Sequence, residues 1–129
     1  WLTADVHYCA AHHYSPERAS FTDFDPFWEF VAGPINAGSF GPSDMDGTFG
    51  PEVLFAKAGR FPGESPRDGE NQYFGHVDLA ADGVFTVSLR NANAAVHYSK
   101  ALTPERGAPA GPRLRRAAAR IEIHLRGNY

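Results

Sequence analysis

The chain has 129 residues, a formal net charge of −3 at pH 7, and 43% hydrophobic against 21% charged residues. This composition is typical of a single globular domain, and no apolar run reaches the roughly 20 residues that span a bilayer. The one cysteine excludes a framework of internal disulfides. The first residues lack the charged and apolar regions of a signal peptide.

The first part of the chain predicts two strands around an irregular segment. Residues 1–8, WLTADVHY, indicate a buried strand that becomes polar at its carboxyl end. Residues 9–26 carry polar and turn-forming residues, in which Ser15 is a candidate N-cap for one helical turn that begins at Pro16. FWEFVAGP, from residue 27 to 34, predicts the second strand.

The middle of the chain predicts two loops and a strand. Residues 33–50 are dense in Gly, Pro, Ser and Asp, and evenly spaced Phe, Ile and Met residues indicate an ordered loop. EVLFAKA, residues 52–58, predicts a third strand. Residues 59–71 predict a mobile surface loop.

A three-stranded meander is predicted next. Residues 72–80 and 84–92 alternate apolar and polar side chains around an Asp82-Gly83 pair, which is a strong hairpin signal. Residues 94–104 add another strand. His76 and His97 fall inside these strands, so we interpret them as structural or exposed.

The composition changes after Pro104, which predicts a domain over residues 1–104 and a basic Pro/Gly/Ala/Arg-rich tail over 105–129. The first part has thirteen acidic against six basic residues, and the tail has six arginines against two glutamates. Such a tail is a poorly ordered, solvated extension or binds nucleic acid or anionic lipid. With only Tyr129 as an aromatic it lacks a stacking platform, so no nucleic-acid partner is expected. Its last residues, from Leu114, fit either a helix or a strand.

Candidate chemistry lies at the end of the first predicted strand. Asp5 and His7 are two residues apart, so on a strand both side chains project to one face. A carboxylate and an imidazole together suit metal ions, although the pair also fits a plain hydrogen-bonded strand end. His12 is a candidate for contact with substrate or for orienting a metal ligand. Cys9 and His13 are not retained as site residues.

Other reaction classes lack their motifs. The sequence has no G-x-S-x-G serine, no G-x-x-x-x-G-K-[ST] loop and no G-x-G-x-x-G. A structural zinc site would need paired cysteines, which are absent.

The stretch WLTADVHYCAAHHYSPERASFTDFDPFWEFVAGPINAGSFGP, with DGTFGPEVLFAKA and QYFGHVDL, resembles the carboxyl-terminal part of the PhoD-like (alkaline phosphatase D-like) metallophosphatases. These belong to the calcineurin-like metallophosphoesterases. The similarity covers residues 1 to about 104, and the pairing of ADVHY with FWEFVAGP is its most specific feature.

The resemblance implies an α/β metallophosphoesterase-like β-sandwich, here a mostly β carboxyl-terminal fragment, with metal ions at the strand ends. It implies hydrolysis of phosphate mono- or diesters, with Asp5 and His7 as metal ligands and calcium and iron as the ions. The remaining ligands of the family, from an Asp-x-x-Tyr element and an Asn-bearing motif, would lie upstream. We therefore expect the isolated chain to be a nearly inactive fragment that lacks the N-terminal part of its domain. Family analogy places it in the periplasm or outside the cell.

Two alternatives come from other classes of protein. The first is a non-catalytic β-rich module in which Asp5 and His7 only stabilise a strand end. The second is a basic-tailed binding domain, whose salt-dependent binding to duplex DNA would vanish when the tail is removed at Pro104.

Overall fold

The computed structural model describes residues 1–65 and 70–105, which form seven strands and one 3-10 turn. The strands are β1 Leu2–Thr3, β2 Cys9–Tyr14, β3 Phe27–Val31, β4 Glu52–Lys57, β5 Tyr73–Leu79, β6 Phe85–Asn91 and β7 Val96–Leu102. The prediction of a mostly β protein is confirmed. The resemblance implied an α/β fold, but the described residues contain one 3-10 turn and no α-helix. Among these residues no helix is long and apolar enough to cross a membrane.

The strands form two sheets. The first has the order β1-β3-β2-β4, in which β1 runs parallel to β3, whereas β2 runs antiparallel to both β3 and β4. The second is the antiparallel meander β5-β6-β7. The predicted Asp-Gly hairpin is confirmed, because the amide of Gly83 donates to the carbonyl of Ala80 at 2.9 Å and Gly83 has a φ of 90°.

The core lies between the sheets. Side chains on one face of the first sheet pack against the buried face of the meander, and each buries an apolar group that is worth about 1.5–3 kcal/mol. This cluster consists of Cys9, Ala11, Phe30, Tyr73, Val87 and Leu89. The opposite face of the first sheet carries a second, smaller cluster of Tyr8, Ala10 and Val31.

The predicted strand over residues 1–8 is wrong beyond Thr3, and the strand over Cys9–Tyr14 was missed. Asp5 and His7 have φ values of 79° and 62°, so the backbone there cannot be extended. The pair Ala10-Ala11 suggested a turn. Both residues are instead 0% exposed. β2 is a central strand between β3 and β4, and side chains pack on both faces of the sheet at this point.

The remaining elements follow the predictions. The Ser15 side chain accepts a hydrogen bond from the amide of Glu17, as an N-cap does, before the 3-10 turn Pro16–Arg18. Strands β3 to β7 lie within the stretches predicted for them. The predictions for the tail lie outside the described residues from position 106 onward.

Gly33 follows β3 at the point where that strand passes the segment before β2. A Cβ atom at this position would overlap the backbone carbonyl group of Tyr8. Gly33 therefore lets the two backbones approach closely at the edge where Asp5 and His7 lie.

We expect Gly33→Ala to lower the free energy of unfolding by about 2 kcal/mol, because the new methyl group can be accommodated only by backbone displacement. Urea denaturation followed by circular dichroism measures the loss. Gly47→Ala is the matched control, since the atom nearest to a Cβ there is Ser20 Oγ at 3.9 Å, and its effect should stay below about 0.5 kcal/mol. Equal losses in the two variants would contradict this account.

Candidate metal-binding site

The segment between β1 and β2 reverses the chain direction through two left-handed residues. Asp5 has a φ of 79° and His7 a φ of 62°. A non-glycine residue in this conformation costs on the order of 1–3 kcal/mol and persists only where the surroundings hold it. Such strain is concentrated at functional sites, so this segment is a candidate functional site.

His7 is held in one orientation by the loop that follows β3. Its Nδ1 lies 2.7 Å from the carbonyl oxygen of Gly38. A carbonyl can only accept, so Nδ1 carries the proton and Nε2 of the neutral ring keeps its lone pair. The backbone carbonyl of His7 also accepts from the amide of Phe40 at 3.0 Å and from Ser39 Oγ at 3.3 Å.

Asp5 and His7 line the same cavity, which has a volume of about 630 Å³. The Asp5 side chain is exposed, and the His7 side chain is half-buried. Most of the other lining is apolar and comes from both sheets, including Leu2, Phe30, Ile35, Tyr73, Val87 and Leu89. A few polar groups at an apolar cavity of this size are typical of ligand sites.

The predicted reason why Asp5 and His7 lie together is wrong. Strand alternation was expected to put both side chains on one face, but neither residue belongs to a strand. They reach one cavity because two left-handed residues alternate with Val6 in a tight bend after β1. The position just beyond the carboxyl end of a strand agrees with the prediction.

The donor set fits a metal ion in part. Asp5 supplies carboxylate oxygens, which suit hard ions such as calcium, and His7 supplies an imidazole nitrogen that suits iron. Within residues 1–65 and 70–105, no three His, Cys, Asp or Glu side chains come together as a metal-binding group. The described residues therefore contain at most part of a metal site.

His12 lies elsewhere. It is 2% exposed and lines a separate cavity of about 280 Å³ together with Glu29 and Val31. Val31 and Phe30 are consecutive in β3 and point to opposite faces, so this cavity and that of Asp5 and His7 lie on opposite sides of the first sheet. The structure does not bring His12 to the two candidate ligands.

Glu29, which lines the same cavity as His12, was not predicted as a functional residue from the sequence. Its carboxylate accepts hydrogen bonds from Thr3 Oγ1 at 2.9 Å, Tyr14 OH at 2.7 Å and His12 Nδ1 at 3.1 Å. Burial alone would raise the pKa of this carboxyl, but the three donors outweigh burial and hold the pKa below its usual range. The signal in the sequence was a charged residue within the apolar run FWEFV.

Cys9 and His13, which were not retained as candidate site residues, lie in the core or against it. Cys9 is fully buried, and burial raises the pKa of its thiol to about 11, so it is a poor nucleophile. The His13 ring packs against the Trp28 ring with a centroid distance of 4.8 Å.

Comparisons with known proteins give one match. A family model described as PhoD-like phosphatase matches residues 1–98 of the 129. The matched region contains the whole first sheet, both candidate ligands and most of the meander. No curated protein and no solved structure matches the chain.

The hydrogen bonds to Glu29 make a testable contribution to its pKa. We expect Tyr14→Phe to raise the pKa of Glu29, since the variant removes one donor but keeps the ring that stacks on Phe27 at 4.4 Å. Titration of the Glu29 carboxyl carbon by ¹³C NMR measures this. The control is Tyr98→Phe, because the Tyr98 ring stacks on Phe55 against the cluster between the two sheets, away from Glu29.

The lowered pKa of Glu29 determines how the stability of the fold changes with pH. The Glu29 carboxylate stabilises the fold above the pKa that it has in the unfolded chain, about 4.3 for a free glutamate. This contribution is lost as the pH falls through the folded value. An unchanged pKa of Glu29 in Tyr14→Phe would contradict the assignment.

Proposed function

Because the chain belongs to the PhoD-like phosphatase family, we propose that it takes part in the metal-dependent hydrolysis of phosphate mono- and diesters. Membership indicates phosphoester hydrolysis. The metal dependence and the residues that carry it are the proposal.

The orientation of His7 supports the proposal most directly. Histidines that bind metals usually donate their other ring N–H to a carbonyl or carboxylate, which fixes the ring and leaves one nitrogen for the ion. His7 has this arrangement, with Nδ1–H directed at the Gly38 carbonyl, which leaves Nε2 of the neutral ring as the nitrogen with a free lone pair. Asp5, two residues earlier and lining the same cavity, supplies the neighbouring oxygen ligand.

Asp5 and His7 would hold calcium and iron, the hard and borderline ions that their atoms suit. When bound, such ions polarise a phosphoryl group and lower the pKa of a bound water. The chain's own contribution is to position the two ligands. Phe30 and Leu89 form part of the apolar wall of the cavity beside them.

Two ligands do not complete a metal site, since calcium takes six or more oxygen ligands. We infer that further ligands come from outside the described residues. The resemblance implies that they lie upstream, in an Asp-x-x-Tyr element and an Asn-bearing motif of the same domain. On this proposal the chain is a carboxyl-terminal portion of the catalytic domain.

Titration of the full chain with Ca²⁺ and, separately, with Fe²⁺ by calorimetry tests the ligand assignment. We expect weak binding, in which Asp5→Asn lowers the affinity for Ca²⁺ and His7→Ala lowers the affinity for Fe²⁺, each by at least about fivefold, because each variant removes one ligand. His13→Ala is the matched control, because His13 packs on Trp28 away from the cavity, and it should retain the wild-type affinity. Equal affinity in all four proteins would favour the non-catalytic module.

Turnover tests whether the chain is sufficient by itself. With p-nitrophenyl phosphate, calcium and iron, we expect a rate close to background because the ligand set is incomplete. Robust turnover that His7→Ala abolishes would support hydrolysis and contradict the incomplete site. Turnover that His7→Ala leaves intact would contradict the role of His7.

A further inference from the structure

Glu29 connects three strands through its two carboxylate oxygens. Oε1 accepts from Thr3 on β1, and Oε2 accepts from His12 and Tyr14 on β2. The side chain is 18% exposed, so these bonds are shielded from water and are stronger than they would be at the surface. The carboxylate therefore joins both neighbours of β3 at one point.

The hydrogen bond from Thr3 to Glu29 has its largest effect on β1, the shortest strand. β1 has only two residues. Backbone bonds hold both of its ends, from Phe30 N–H to Trp1 O at 2.8 Å and from Ala32 N–H to Thr3 O at 2.9 Å, and the amino group of Trp1 donates to the Trp28 carbonyl at 2.6 Å. The charge-assisted bond of Thr3 at 2.9 Å adds a side-chain contact at the end of β1 that leads to Asp5.

The two candidate ligands differ in how they are held. His7 is fixed by Gly38 and Phe40 on the far side of the bend. The Asp5 side chain makes no hydrogen bond within residues 1–65 and 70–105, although its backbone is left-handed. Its position therefore depends on the two anchored points on either side of it, Thr3 at the end of β1 and His7 in the bend.

We propose that Glu29 is a positioning residue for the Asp5–His7 site: through Thr3 it fixes the end of β1, and thereby the distance from Asp5 to His7. This inference rests on the proposed function. Glu29 does not line the cavity of Asp5 and His7, so it acts through Thr3 and does not touch substrate or metal.

His12 gains a role from this arrangement. With Nδ1 donating to Glu29, it is one of the groups that orient the carboxylate toward Thr3. Its Nε2 is buried and has no partner among the described residues. His12 is thus a support for Glu29 on the opposite face of the sheet, and substrate contact is not required of it.

Two variants of the full chain separate positioning from stability. Thr3→Val removes the donor next to the site with little change of shape, and Tyr14→Phe removes a donor to the same carboxylate far from the site. Both should lower the urea midpoint. Only Thr3→Val should weaken Mn²⁺ binding, read by electron paramagnetic resonance, by about tenfold, the low end for loss of a supporting hydrogen bond.

Thr3→Ser keeps the hydroxyl and should restore Mn²⁺ affinity to within about twofold of wild type, which a merely structural role of the threonine methyl group would not predict. Wild-type Mn²⁺ affinity in Thr3→Val, with stability lowered as in Tyr14→Phe, would overturn the proposal.

Amide exchange gives a readout that needs no metal. The Ala32 amide, which donates to the Thr3 carbonyl, should exchange about tenfold faster in Thr3→Val and unchanged in Tyr14→Phe, because only the first variant frees the end of β1. If wild type binds no Mn²⁺ beyond the level of His7→Ala, the proposed function fails. The exchange rates then decide the positioning role alone, and equal rates in the two variants overturn it.

Discussion

The hydrogen bond from the His7 ring to the Gly38 carbonyl is the contact on which the site depends. It spans 31 positions in the chain and ties the bend after β1 to the loop after β3. Together with the bonds from the Phe40 amide and Ser39 Oγ to the His7 carbonyl, it holds a left-handed conformation that is unfavourable in isolation. The same bond engages Nδ1 of the ring, so on the proposed function Nε2 is the nitrogen left for a metal ion.

The first sheet separates two pairs of polar side chains, Asp5 with His7 and Glu29 with His12. Asp5 and His7 line the cavity on the side of the meander, whereas Glu29 and His12 line the cavity on the other side. Successive side chains of β3 point to opposite faces of the sheet, so Glu29 and Phe30 line different cavities. Thr3 borders both cavities, which explains how a carboxylate on one face can influence a site on the other.

Local signals predicted much of the fold. The Asp82-Gly83 pair and its alternating flanks indicated the hairpin, and Ser15-Pro16 indicated the capped turn, because both depend on neighbouring residues. β2 was not predictable in this way. Its small residues are tolerated because β3 and β4 flank it, and that is a consequence of tertiary packing which propensity does not contain.

The candidate site was predictable only in part. Asp5 and His7 came from the resemblance together with their spacing, although the strand geometry that first justified them was wrong. The role of Glu29 could not have been read from the sequence, because its three donors are 15, 17 and 26 positions away. Contacts of that range appear only once the strand order is known.

Paramagnetic Mn²⁺, added in small amounts to the ¹⁵N-labelled chain, tests the central claim most directly, because it broadens NMR signals only near its binding site. The account predicts broadening of the Asp5 and His7 amides and of the lining segment from Gly33 to Ala37. The amides of Ser43 and Met45, which line the other cavity, should broaden less than those of Asp5 and His7. Broadening centred on Ser43 and Met45, or broadening that persists in His7→Ala, would contradict it.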